Sequence, residues 1–114
     1  MGFFKQFFAD NSHREVDVTQ VSDAIADSTH TVVDVREPDE WNEGHIADAV
    51  HIPLGDLALR ASELPAEKPI YTVCRSGVRS ITAIEILDQS GRVGAKSLAG
   101  GMIAWADASK PIAR

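Results

Sequence analysis

Residues 69–80 read PIYTVCRSGVRS, and the rest of the chain takes its meaning from them. The first five are β-rich and largely apolar, and Ile81, Ile84 and Leu87 then recur at helical spacing. A strand therefore runs through a short loop directly into a helix, which Gly91 terminates. The loop opens with Cys74, the only cysteine among the 114 residues, and two arginines, two serines and a glycine follow it. A packing cysteine usually has apolar sequence neighbours, and this one does not.

The same alternation extends to both sides. REVDV (14–18) reads as a first strand, and Val18, Val21 and Ile25 predict a helix over 19–27. TVVDV (31–35) has the continuous apolar character of a strand covered on both faces. Pro38, the acids after it and Gly44 signal a short helix. DAVHI (48–52) reads as a brief strand ended by Pro53, and 54–64 is helical in pattern up to Pro65. AKSL (95–98) supplies a last strand and GGMIAWADA (100–108) a last helix. Strand and helix in steady alternation predict an α/β domain with a mostly parallel sheet. Ligands of such sheets sit beyond the carboxyl ends of the strands, which is where Cys74 falls.

The bulk composition narrows the function classes. A chain of 114 residues with 44% hydrophobic and 25% charged residues fits one globular domain. Its 17 acidic and 11 basic residues give a net charge of −6, which argues against nucleic acid or an anionic membrane as main partner. One cysteine forms no internal disulfide, so cytoplasmic residence is expected. No apolar run reaches the roughly 20 residues of a membrane span. MGFFKQFFADNS (1–12) lacks a signal-peptide pattern, and Gln6 breaks a myristoylation motif. Its four phenylalanines follow one face of an expected short helix, which packs on the domain or frays, or else serves as a docking or weak membrane-contacting surface. The domain proper is expected over 13–114.

The residues of the loop suit an activated thiol. The following helix presents free N–H groups and its dipole to an anion, and Arg75 and Arg79 add positive charge. Ser76 and Ser80 add hydroxyl donors, and Gly77 lets the backbone turn its amides inward as an anion nest. Each of these lowers the pKa of Cys74 and favours the nucleophilic thiolate.

CRSGVRS (74–80) resembles the active-site loop of the single-domain rhodaneses, which are sulfurtransferases. VVDVREPDEWNEGHIADAVHIP (32–53) is similar to that family's Asp-Val-Arg strand and Gly-His-Ile segment, and SLAGGMIAW (97–105) resembles its Gly-Gly-aromatic signature. The resemblance covers 32–105 and implies a three-layer domain with a five-stranded sheet flanked by helices. It implies a persulfide cycle with Cys74 catalytic and Arg75, Ser76, Gly77, Val78, Arg79 and Ser80 binding substrate. A small anionic donor such as thiosulfate would load Cys74, and cyanide, a thiol or a sulfur-accepting protein would unload it. No cofactor and no metal are implied. An alternative is a persulfide carrier serving one partner protein.

A rhodanese-fold phosphatase or arsenate reductase is the other alternative. Such enzymes place five residues between cysteine and arginine, which would put the arginine at position 80. Position 80 is Ser80, the arginine is Arg79, and Val73 stands where those phosphatases carry histidine. The shorter loop suits one sulfur better than a tetrahedral phosphate.

Asp34 and Arg36 flank Val35 and so share one face of the strand. They are expected to support the site, Asp34 by capping loop amides and Arg36 by pairing with Glu40 or Glu43. His45 is expected to bond backbone beside Gly44, and Trp41 and Trp105 to be core or rim aromatics.

Overall fold

The computed structural model describes residues 12–114; the phenylalanine-rich segment expected as a helix lies outside them. Five strands form one sheet in the order β1-β5-β4-β2-β3, and every neighbouring pair is parallel. The strands are β1 (Glu15–Val16), β2 (Thr31–Asp34), β3 (Val50–His51), β4 (Ile70–Val73) and β5 (Lys96–Leu98). The expected mostly parallel sheet is thus wholly parallel.

Helices cover both faces. On one, α1 (Val18–Ala26) and the C-terminal α5 (Gly101–Asp107) pack with Val32, Tyr71, Val73 and Leu98, burying Val21, Met102 and Trp105. On the other, α3 (Leu57–Arg60) and α4 (Arg79–Gln89) enclose Val33, Val35 and Ile70 with Leu57, Ile84 and Leu87. The short α2 (Pro38–Glu43) follows β2. Strands buried on both faces explain why β2 and β4 read as near-continuous apolar runs.

Several boundaries differ from the sequence reading for local reasons. The first strand stops at Val16 because Asp17 becomes the N-cap of α1: its Oδ1 accepts the Gln20 amide at 2.8 Å, and Gln20 returns the bond at 2.9 Å. The helix expected over 54–64 is instead a 3₁₀ turn (Leu54–Asp56), one α turn and a second 3₁₀ turn (Ala61–Glu63). Gly55 weakens the first turn, while Leu57, Ala61 and Leu64 still reach the core.

The topology creates the crevice. After β2 the chain moves outward to β3, and after β4 it moves the other way to β5. The two connections part between β2 and β4, whose ends pair Asp34 with Val73. Such a divergence point is where parallel sheets bind ligands. It lies beside Asp34, Arg36 and Cys74.

Candidate active site

Cys74 leaves the end of β4 and is buried, with 1% of its surface exposed. Its polar sequence neighbours gave a different impression, because the side chain packs on the apolar cluster of Val33, Val35 and Ala83. Only its sulfur faces the polar loop. The Gly77 amide donates to Sγ at 3.0 Å, and the Ser80 hydroxyl lies 3.4 Å from it. Burial raises the Cys74 pKa, but the Ser80 hydroxyl and the amides of Ser80, Gly77 and Ser76 outweigh it and hold the thiol below its ordinary value. The expected cradle is present, and its principal donors are amides and a hydroxyl rather than the arginines.

Two glycine contacts make this geometry possible. Gly77 sits at φ +102, and a Cβ there would stand 3.2 Å from the Gly100 amide nitrogen. Gly101, at φ +55, lies directly under the loop; a Cβ there would fall 2.3 Å from the Cys74 carbonyl oxygen. That closeness lets the first turn of α5 donate to the loop: the Met102 amide reaches the Cys74 carbonyl at 2.8 Å, and the Ile103 amide reaches the Arg75 carbonyl at 3.1 Å. The loop is fixed from below by a helix remote in sequence.

A buried polar layer supports Ser80. Its hydroxyl is 2.6 Å from that of Ser97, and Thr72 donates to the Ser80 carbonyl at 2.8 Å. All three residues are fully buried, so each hydroxyl needs these partners. Thr72 and Ser97 are inconspicuous in the sequence. Their only signal was a hydroxyl at an otherwise apolar strand position.

The arginines divide into three environments. Arg75 is exposed, as are Ser76 and Val78. Arg79 forms a two-point pair with Glu40, Nη1 to Oε1 at 2.7 Å and Nη2 to Oε2 at 2.8 Å. The Arg79 bond, acting against partial burial, holds the Glu40 carboxyl down at about 2. Arg36 is buried and pairs with Asp34, not with the side chain of Glu40 or Glu43 as expected. Its Nη2 lies 2.7 Å from Asp34 Oδ2 and also donates to the Gly44 carbonyl at 2.7 Å. The reason is proximity on one strand face together with the almost complete burial of Asp34, whose carboxylate needs a cation at hand. Asp34 also caps the Arg36 amide at 3.0 Å, as anticipated.

His45 donates to the Trp41 carbonyl at 2.8 Å, and His51 to the Arg36 carbonyl at 2.8 Å. Both rings stack on Trp41, His45 at a centroid distance of 3.5 Å. These side chains brace α2 against β3, and Trp105 is a core residue.

A parallel five-stranded sheet whose central strand delivers a hydrogen-bonded cysteine into a strand-to-helix loop is the rhodanese arrangement. The chain belongs to the rhodanese-like domain family, which it matches over residues 17–108. A protein of Allochromatium vinosum named sulfurtransferase is 38% identical over 99 residues, covering 86% of this chain and 92% of its own. A Bacillus subtilis protein provisionally named a sulfur carrier is 38% identical over 80 residues, 70% of this chain and 43% of its own. The crystal structure of a rhodanese-related protein from Thermoplasma volcanium superposes with a TM-score of 0.79 at 31% identity, covering 88% of this chain and 97% of that one. Among the described residues, no helix is long and apolar enough to cross a membrane.

Proposed function

We propose that this chain transfers a sulfane sulfur through a persulfide on Cys74. The observation that carries the reading is the convergence of the Gly77 amide and the Ser80 hydroxyl on a buried Sγ at the carboxyl end of β4. The thiolate attacks the outer sulfur of a donor such as thiosulfate; the donor S–S bond breaks, and sulfite leaves with the bonding pair. The Cys74 persulfide anion then sits against the same amides and hydroxyl, which are already oriented for negative charge. Cyanide or a thiol attacks the terminal sulfur and returns the Cys74 thiolate, so the cycle has two half-reactions. The chain holds no second thiol, and an external acceptor must complete the cycle. Arg75, exposed next to Cys74 in the chain, orients the anionic donor; Ser76, Val78 and Arg79 frame the entrance; Asp34 and Arg36 brace the neighbouring strand end. A lone thiol kept reduced fits residence in the cytoplasm.

Parallel lines in a double-reciprocal analysis of thiosulfate and cyanide, with turnover abolished by Cys74→Ser, are the expected result. Intersecting lines, or turnover surviving in Cys74→Ser, would contradict it. The similarity to the provisionally named sulfur carrier favours a second reading, in which the persulfide is handed to one protein. Slow discharge to cyanide beside rapid discharge to a protein thiol distinguishes carriage from free-standing turnover. A phosphatase reading has little support, because Arg79 stands one residue short of the phosphatase position and its guanidinium is engaged by Glu40.

A further inference from the structure

The Glu40–Arg79 pair joins two segments 39 residues apart and does more than hold them together. Its carboxylate is anchored from two sides, since Oε1 also accepts the Glu37 amide at 3.0 Å. A carboxylate fixed in this way, facing both Nη atoms of a planar fork, is a persistent pair. The consequence is electrical. Arg36 is already neutralised by Asp34, and Arg79 by Glu40. Among the described residues, Arg75 is the one arginine of the loop without an acidic partner. Two of these three arginines are thus already paired with acids, and a doubly charged donor meets little net attraction beyond Arg75 and the loop amides.

The second observation is the groove beside the loop. It has a volume of about 290 Å³ and is lined by the charged Arg36, Glu40, Glu43 and Arg75 and by Met102, Ile103 and Ala106 of α5. That volume stands at the lower end of small-molecule sites, which begin at roughly 300 Å³. Its apolar side is formed by α5, the helix whose amides hold the Cys74 and Arg75 carbonyls. An inorganic oxyanion has no use for an apolar wall, whereas an organic substituent on the reacting sulfur does.

We propose that Glu40 is a positioning residue that sets donor choice: by closing Arg79 into an ion pair it disfavours dianionic thiosulfate and favours an organic persulfide, R–S–SH, whose R group occupies the groove. In that half-reaction the Cys74 thiolate attacks the outer sulfur, the donor S–S bond breaks, and R–S⁻ departs. The proton stays on the transferred sulfur, giving Cys74–S–SH. The inference rests on Cys74 being the reacting atom and refines the sulfur-transfer reading above.

The test compares alkylation of Cys74 by iodoacetate and by iodoacetamide, reagents of nearly equal size that differ by one negative charge. Both react with the thiolate, so the ratio of their rates cancels thiolate fraction and access and leaves the local charge. Glu40→Gln keeps the shape and the acceptor for the Glu37 amide while removing the charge. It should raise the iodoacetate-to-iodoacetamide ratio about fivefold, from Coulomb interaction over several ångströms at intermediate dielectric. Glu40→Gln with Arg79→Gln should return the ratio to within about twofold of wild type, since the pair is neutral as a whole. A ratio unmoved by Glu40→Gln overturns the claim that Glu40 screens Arg79.

The donor arm measures loading by intact mass from thiosulfate and from cysteine persulfide. Wild type should load faster from cysteine persulfide, and Glu40→Gln should narrow that preference about 25-fold, since twice the charge doubles the Coulomb energy and squares the fivefold factor. A preference unchanged by Glu40→Gln overturns the present inference alone. A wild-type protein loading from neither donor overturns the sulfur-transfer reading and the donor claim with it, while the alkylation ratio still decides the electrostatic role.

Discussion

Ser80→Ala isolates the part played by the buried hydroxyl in holding the Cys74 thiolate. The Ser80 hydroxyl stands 3.4 Å from Sγ and 2.6 Å from the Ser97 hydroxyl. With Cys74 ionised, Ser97 donates to Ser80 and Ser80 donates to the sulfur, so one hydrogen bond stabilises the anion selectively. A bond to a charged group contributes about 1.5–3 kcal/mol; the long contact to sulfur puts this one at the low end. About 1.4 kcal/mol corresponds to one pKa unit. The sign follows from which form is stabilised: losing the donor disfavours the thiolate and raises the pKa. The rate of alkylation by iodoacetamide against pH should therefore shift about one unit upward in Ser80→Ala. On the acidic limb the variant should react about tenfold more slowly, while both proteins approach a similar plateau once ionised. Ser97→Ala, which leaves the Ser80 hydroxyl in place, should shift the profile by less. The measurement belongs well below the unfolding transition, because Ser80→Ala leaves the buried Ser97 hydroxyl unpartnered at a cost of about 1–3 kcal/mol. An unchanged profile would show that the loop amides alone hold the thiolate.

Three other substitutions probe the frame. Arg36→Ala leaves the Asp34 carboxylate buried without its cation, and denaturant unfolding should show a loss of about 3–5 kcal/mol; a loss under 1 kcal/mol would mean that water or another side chain takes over. Gly101→Ala drives a Cβ to 2.3 Å from the Cys74 carbonyl oxygen at φ +55, so it should both destabilise the fold by about 2 kcal/mol or more and slow Cys74 alkylation. Retained stability and reactivity would show that α5 does not fix the loop. In Glu40→Gln the stability lost should depend on pH in a defined direction. The folded carboxyl is held at about 2, below its ordinary 4.5, so its contribution is complete above 4.5 and disappears as pH falls through 2. The pair is partly solvent-exposed, which limits that contribution to about 1 kcal/mol. A difference from wild type that does not shrink in acid would contradict it.

Most of the fold was legible because its elements are signalled locally. PIYTV and TVVDV are apolar enough to be strands covered on both faces, and Gly91, Pro53 and Pro65 mark ends. Cys74 stood out because a strand end and a helix start meet at it. The boundaries that moved did so where one residue served two elements, as Asp17 does in capping α1. What stayed hidden depends on tertiary placement. Glu40 is four residues from Arg36, so a local pair was the natural expectation, yet α2 swings that carboxylate to Arg79. Ser97 and Thr72 are ordinary strand residues until the sheet order places β5 and β4 side by side beneath Ser80. The role of Gly101 appears only once α5 returns under the loop. Cys74 itself shows the same limit: its sequence neighbours are polar, and its spatial neighbours on one side are the core.

The central claim is that Cys74 accepts and releases a sulfur atom. Incubating the protein with thiosulfate or cysteine persulfide, removing the donor and measuring intact mass tests it most directly. The expected result is the gain of one sulfur atom in the wild type, none in Cys74→Ser, and return to the starting mass on adding cyanide or a thiol. A wild-type protein that gains no mass from either donor, or an adduct that persists in Cys74→Ser, would contradict it.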